Sequence, residues 1–174
     1  MNAIKEGQRA HEWRRLQTVE SMRSLEGATV CIIGMGAVGH DLIRKLKAFD
    51  AKVIAVSRAG ADPALERAFP REQLHAALAL ADAVVLCTNS DRSSYHLIDS
   101  AALAAMKKGA VIVNVARGEL IDEPALIAAL RSGHIGAAGL DVTEPEPPKP
   151  DNPLFDLPNV ILSPHCAGGG SPKG

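Results

Sequence analysis

Three glycines, Gly34, Gly36 and Gly39, stand in the spacing G-x-G-x-x-G. A short β-branched run, Thr29-Val-Cys-Ile-Ile33, precedes them, and a helical pattern of Leu42, Ile43, Leu46 and Phe49 follows. In that strand–turn–helix context the spacing predicts a cradle for a pyrophosphate. The first glycine permits the tight turn, the second lets the backbone approach the phosphates, and the third allows close packing of helix on strand. The helix start at Ala37 and Val38 then offers unpaired N–H groups and a partial positive charge to the anion. A glycine-rich turn of purely structural use is the plainer alternative. About 20 residues on, where a carboxylate would bind the ribose 2′-hydroxyl of NAD, the chain has Ser57-Arg58. A hydroxyl and a guanidinium suit a 2′-phosphate, so NADP (NADPH) is the expected cofactor, with NAD the possible second. A solvated loop arginine with relaxed cofactor choice is the competing reading.

Three later segments end on residues that can do chemistry: Asn114-Val-Ala-Arg-Gly118, Gly139-Leu-Asp-Val-Thr-Glu-Pro-Glu-Pro147 and Ser163-Pro-His-Cys-Ala-Gly168. Taken singly, Arg117 is a solvated loop charge, Glu146 part of an acidic proline loop, and His165 a satisfied histidine near a Pro turn. Together they place a fixed cation, carboxylates and a titratable ring at the expected carboxyl ends of strands, outside which open α/β sheets bind ligands.

The elements that must position them alternate. Strands are expected at Lys52–Val56, Ala83–Cys87, Ala110–Val115, Ala137–Val142 and Asn159–Leu162. Helices are expected at Glu72–Ala81, Ser100–Met106 and Glu123–Ser132, the last capped by Asp122 and stopped by Gly133. Strands that are apolar on both faces and alternate with helices predict a doubly wound α/β fold, a parallel sheet covered on two sides. A polar helix over 9–23 carries Trp13, Leu16 and Val19 on one face and must pack that stripe on something, so a homodimer is plausible. The proline-dense stretch 144–153 predicts an extended loop.

With 174 residues, one dinucleotide-binding domain spanning 1–174 is expected, its core about 27–166 and its tail 168–174. A net charge of −1 with no basic block excludes nucleic acid as a natural partner. Lys5, Glu6, Arg9, Glu12, Arg14 and Arg15 interrupt any N-terminal apolar stretch, and the longest apolar run, Ala76 to Cys87, is broken by Asp82, so neither a signal nor a membrane span is expected. Cys31, Cys87 and Cys166, odd in number and without C-x-x-C spacing, read as small buried hydrophobes of a reducing cytoplasm. His11, His40, His75, His96 and His134 have no metal-ligand spacing and read as surface or capping residues.

The glycine turn, Leu25-Glu-Gly-Ala-Thr-Val30 and the three carboxyl-end segments, in this order over about residues 13–170, resemble the D-isomer-specific 2-hydroxyacid dehydrogenases. The resemblance implies an oxidoreductase acting on a small 2-hydroxy or 2-oxo acid. It makes Arg117 the binder of the substrate carboxylate, His165 the acid/base and Glu146 its partner, with Asp141 accepting from the nicotinamide carboxamide. Thr88, Asn89, Val115, Ala116, His165 and Gly168 fall with the other cofactor-contacting positions. The chemistry agrees: reducing a 2-oxo acid needs a hydride at C2, a proton on the developing alkoxide and a cation for the carboxylate, which arginine supplies bidentately. A histidine, with an ordinary pKa of about 6.5, is kept protonated for that step by a neighbouring carboxylate. Glu144 is the rival acid, but the family pattern places it at Glu146. Two positions depart from the family: Ile43 replaces a small residue, which predicts a helix set slightly away from the sheet, and Asn89 replaces a proline. The family's separate substrate domain is expected to be missing, which keeps a second hypothesis open, a dinucleotide-binding module without turnover.

Overall fold

A computed structural model describes residues 2–13, 22–57 and 62–168. Helix α1 covers Asn2–Ala10. The core then runs β1 (Thr29–Ile33), α2 (Ala37–Lys47), β2 (Lys52–Val56), β3 (Arg67–Phe69), α3 (Leu74–Leu78) and β4 (Ala83–Leu86). It continues with α4 (Ser100–Ala105), β5 (Ala110–Asn114), α5 (Glu123–Arg131), β6 (Ile135–Leu140) and β7 (Val160–Leu162). The strands form one seven-stranded sheet in the order β3-β2-β1-β4-β5-β6-β7, and every pairing is parallel. The chain winds outward from β1 to β3, returns to β1's other side at β4, and winds outward again. The order therefore reverses between β1 and β4, where open sheets of this kind leave a crevice at the carboxyl ends.

Alternation along β1 sorts the core into two layers. Val30 and Ile32 pack with Ile43 and Leu46 of α2, while Cys31 and Ile33 join the larger cluster built with Leu74, Leu78, Leu103, Leu126 and Leu130 of α3, α4 and α5. Coverage is unequal. The cross-strand row Cys31, Val84, Ile112, Ala138 is sealed, none more than 3% exposed. The row on the other face, Ile32, Val85, Val113, Gly139, Ile161, opens progressively away from α2 until Ile161 is 52% exposed. Among the described residues, only the half near α2 is covered on that face.

The caps are local chemistry. Asp122 accepts from Ala125 N at 3.2 Å to start α5, and Gly133, at φ +71°, ends it. Asp99 accepts from Ala102 N at 2.8 Å to start α4.

Other expectations need correction. Of the helix expected over 9–23, Arg9 and Ala10 close α1, 11–13 are not helical and Trp13 is 94% exposed, while 14–21 lie outside the described residues. Leu16 and Val19 lie outside the described residues. Phe49 lies past the end of α2, because the chain turns at Asp50 (φ +56°) to enter β2, and it is 61% exposed. The helix over 72–81 is a 3₁₀ turn, Arg71–Gln73, leading into the short α3. Strand β3 had no signal, being three residues long with a charged first position. Ile43 does not hold α2 off the sheet; it is 2% exposed within the second layer. Cys166 is exposed, whereas Cys31 is buried and Cys87 half-buried, burial pushing those two thiols up to about 12 and about 11. No helix among the described residues is long and apolar enough to cross a membrane.

Ile112 sits at the middle of the sealed row with no exposed surface. Ile112→Ala should cost about 2–5 kcal/mol, the range for emptying such a site, read as a lowered urea midpoint at unchanged slope.

Candidate functional site

The crevice is shaped by missing side chains. Gly34 has φ +102°, and a Cβ there would lie 2.7 Å from the backbone and Cβ of Thr88, so the loops leaving β1 and β4 meet face to face. A Cβ on Gly39 would lie 2.3 Å from the Gly34 carbonyl oxygen, so α2 starts pressed against the turn. Gly36, the N-cap of α2, has nothing within 4 Å of its Cβ position and leaves an open approach to the helix start. Its carbonyl accepts the first helical bond, from His40 N at 3.0 Å, which leaves the earlier N–H groups at Ala37, Val38 and Gly39 without helical partners. Among the described residues no side chain caps this terminus. A pyrophosphate fits such an end: open, exposed and uncapped. Ser57, Thr88 and Asn89 line the groove beside Gly34. Arg58 lies outside the described residues.

Further along the same edge, β5, β6 and β7 end side by side. At the end of β5, Asn114, 1% exposed, shapes the loop, its Oδ1 accepting from Ala116 N at 3.0 Å and its Nδ2 donating to the Arg117 carbonyl at 2.8 Å. Val115 is at the surface and Ala116 is buried. Gly118 lets this loop touch the next, since a Cβ there would lie 2.0 Å from the Thr143 carbonyl oxygen. Arg117 is exposed, its Nη1 donating to the Ala116 carbonyl at 2.6 Å, and it is in no ion pair among the described residues.

Asp141, one residue past β6, is 5% exposed and organises the loop that follows β7. Its Oδ1 accepts from Ser163 Oγ at 2.5 Å and Cys166 N at 2.9 Å, and its Oδ2 from Ala167 N at 2.9 Å. Its carbonyl oxygen also accepts from His165 N at 2.8 Å. Burial pushes its pKa up, but the hydrogen bonds from Ser163, Ala167 and Cys166 outweigh burial and hold the carboxyl below its ordinary value. His165, at φ +50°, is turned so that its Nδ1 meets Glu146 Oε1 at 2.7 Å. Both side chains remain partly open, 47% and 40% exposed. Beside them is an apolar cavity of about 460 Å³ that includes Pro147, Pro148, Phe155 and Leu162 in its walls. Gly168 is exposed, and among the described residues nothing lies within 4 Å of its Cβ position.

Sequence reading thus named both members of the pair that meets, Glu146 and His165. Glu144 pairs with His96 instead, Nε2 to Oε2 at 3.1 Å, and His96 stacks on Tyr95 with centroids 3.9 Å apart. His40 and His134 also have partners, Asp62 Oδ2 and the Leu103 carbonyl, both at 2.9 Å. Sequence reading missed Asn114 and Gly118, whose signal was an Asx residue and a glycine bracketing Arg117. It also missed Asn152, which accepts from Leu154 N at 2.9 Å and donates to Glu123 Oε1 at 2.7 Å, tying the proline loop to α5.

A parallel sheet with a glycine-built crevice at its reversal point defines a dinucleotide-binding domain of the Rossmann type. A family model described as the NAD binding domain of D-isomer specific 2-hydroxyacid dehydrogenases matches residues 1–167, and the chain belongs to that family. Glyoxylate reductase of Pyrococcus horikoshii is 40% identical over 141 residues, covering 80% of this chain and 42% of that protein. (S)-sulfolactate dehydrogenase of Chromohalobacter salexigens is 39% identical over 161 residues, covering 91% and 52%. Among solved structures, an NADPH-dependent glyoxylate/hydroxypyruvate reductase from Sinorhizobium meliloti, in complex with NADP and sulfate, superposes with a TM-score of 0.84 at 32% identity, covering 94% of this chain and 52% of that one. The chain spans about half the length of these relatives.

Because the folded pKa of Asp141 lies below its unfolded value, the carboxylate's contribution to stability is present at neutral pH and is lost as pH falls through the folded value. Asp141→Asn should lower the urea midpoint at pH 7, and the gap to the parent should be smaller at a pH below the ordinary aspartate value of about 3.9. A gap of equal size at both pH values contradicts this account of the His165 loop.

Proposed function

We propose that this chain is the cofactor-binding part of an oxidoreductase that interconverts a small D-2-hydroxy acid and its 2-oxo acid, with NADPH preferred over NADH. The observation that carries the reading is the 2.7 Å contact between His165 Nδ1 and Glu146, at the same sheet edge as the glycine crevice and Arg117. The nicotinamide, when bound, supplies the hydride to C2 or takes it up. His165 handles the proton: with Nδ1 on Glu146, its Nε2 is the ring nitrogen left to protonate the substrate oxygen in reduction and to accept that proton in oxidation. Glu146 fixes the ring's orientation and tautomer. Arg117 gives the substrate carboxylate a two-pronged partner, exchanging its bond to the Ala116 carbonyl for the ligand. Asp141, at the end of β6, is the acceptor for a carboxamide N–H. Gly34, Gly36 and the N–H groups of Ala37, Val38 and Gly39 hold the pyrophosphate. Ser57, Thr88 and Asn89 border the adenosine end, to which the sequence also assigns Arg58, and Val115, Ala116 and Gly168 border the nicotinamide end.

The preference for NADP is supported by Ser57-Arg58 and by the Sinorhizobium meliloti reductase, which was solved with NADP. The same reading makes the chain one dinucleotide domain of a cytoplasmic protein that pairs with a second copy. A module that binds the dinucleotide without turnover is favoured by one specific observation, the exposure of the His165–Glu146 pair. Holding an oxo acid in attack geometry with water excluded contributes about 7–11 kcal/mol to such reactions, and a pair this open loses much of that.

Calorimetry and NADPH oxidation on one 174-residue preparation separate the readings. The chain is expected to bind NADPH at least several-fold tighter than NADH and to reduce glyoxylate or hydroxypyruvate slowly; absence of binding to either cofactor would sink the assignment. In whichever assembly turns over, His165→Ala should lower kcat by about 10²–10⁴, the range for losing a positioned acid/base. Glu146→Gln, which keeps a hydrogen bond but not the charge, should fall between it and the parent. Wild-type rates in both variants would remove the pair from the mechanism.

A further inference from the structure

The groove beside Gly34 has a guanidinium in its wall that the glycine motif does not explain. Strand β3 pairs with β2 in parallel register, Val56 opposite Phe69, and Ser57 N donates to the Phe69 carbonyl at 3.1 Å. Pro70 and Arg71 therefore leave β3 at the carboxyl edge beside the turn that begins at Ser57. Arg71 is half-buried and lines the groove with Gly34, Ser57, Thr88 and Asn89. Its guanidinium is held in place, Nη1 donating to Ser93 Oγ at 2.9 Å and Nη2 to the Ser93 carbonyl. A guanidinium carries five N–H donors, so three remain. Among the described residues Arg71 is in no ion pair. Asp91, the acid in the same groove, is committed to its own turn, its Oδ1 accepting from Ser93 N at 2.8 Å, Ser93 Oγ at 2.5 Å and Ser94 N at 3.1 Å.

Resting on the reading that this groove holds a nicotinamide dinucleotide, we propose that Arg71 is a specificity-determining residue that reads the adenosine 2′-phosphate. The ribose hydroxyls of a bound dinucleotide lie at the carboxyl end of the second strand, which here is Ser57 with Arg71 one strand over. A guanidinium already fixed by Ser93 loses little conformational freedom when it meets the phosphate, so its charge-assisted hydrogen bonds are retained as affinity. Arg71 thus adds a cation from β3 to the one the sequence places after β2.

Calorimetric titration of the whole chain with adenosine 2′,5′-bisphosphate and with 5′-ADP tests this. Arg71→Gln is expected to weaken binding of the bisphosphate about tenfold and of 5′-ADP less than about twofold. Arg67→Gln makes the same charge change at the exposed start of β3, where the guanidinium lies 4.3 Å over the Phe69 ring, and is expected to alter neither. Arg71→Lys, milder for the fold, keeps the charge without the fork and should retain an intermediate preference. Equal losses with both nucleotides in Arg71→Gln, no loss with either, a loss of the same size in Arg67→Gln, or a full preference in Arg71→Lys each overturn the proposal. If the unaltered chain binds neither nucleotide, the dinucleotide reading falls and takes this one with it. If it binds both and Arg71→Gln changes nothing, only the Arg71 proposal falls.

Discussion

Backbone contacts that leave no room for a side chain hold the crevice together. Gly34 touches Thr88 and Gly39 touches Gly34, each at a distance where a Cβ would collide with fixed atoms rather than with a flexible side chain. Through the first contact the loops leaving β1 and β4 become one surface, and through the second α2 is aimed at that surface with its free N–H groups forward. The two central strands, their register and the helix all depend on this meeting. An alanine at either position would have to move backbone, because close-packed interiors transmit such a displacement rather than absorb it. Gly36 shows the complementary case: among the described residues nothing occupies its Cβ position, which leaves the approach to the helix start open.

Away from the crevice the site is organised by polar groups that do no chemistry. Asp141 holds Ser163, Cys166 and Ala167 with its side chain and His165 with its carbonyl, so one nearly buried carboxylate sets the loop on which the histidine rides. Asn114 does the same for the loop that carries Arg117, and Gly118 brings that loop against Thr143. Three neighbouring strand ends are thereby locked to one another. A buried polar group that is fully hydrogen-bonded costs little, whereas one left unpaired costs about 1–3 kcal/mol, so these loops are held to one geometry.

Membership of the 2-hydroxyacid dehydrogenase family and the layout of the edge describe a cofactor groove running into a histidine–carboxylate pair. Charge in the groove is uneven. Asp91 accepts hydrogen bonds within its own turn, whereas the guanidinium of Arg71 keeps N–H donors beyond its bonds to Ser93, an arrangement that the chain's net charge of −1 does not reveal. Local arrangement, not composition, sets the electrostatic preference of a cleft.

Features that depend on a few adjacent residues were legible in the sequence. The glycine turn, the start and stop of α5 at Asp122 and Gly133, and the bounds of β1 and β2 all rest on local spacing, and the meeting of Glu146 with His165 was implied by the family resemblance. Features that depend on what lies across the sheet were not. Three-residue β3 exists because β2 offers it an edge, since nothing in its own residues favours a strand. Phe49 fits the helical period of α2 yet is exposed, because the turn at Asp50 ends the helix before it. Cys166 reads as a buried thiol, but its loop lies at the open edge beyond β7. The Ser93 partner of Arg71 appears only when segments far apart in the chain are brought within hydrogen-bonding distance. Periodicity and capping report the torsions and burial pattern of one segment, whereas pairing across a sheet joins residues that share no local signal.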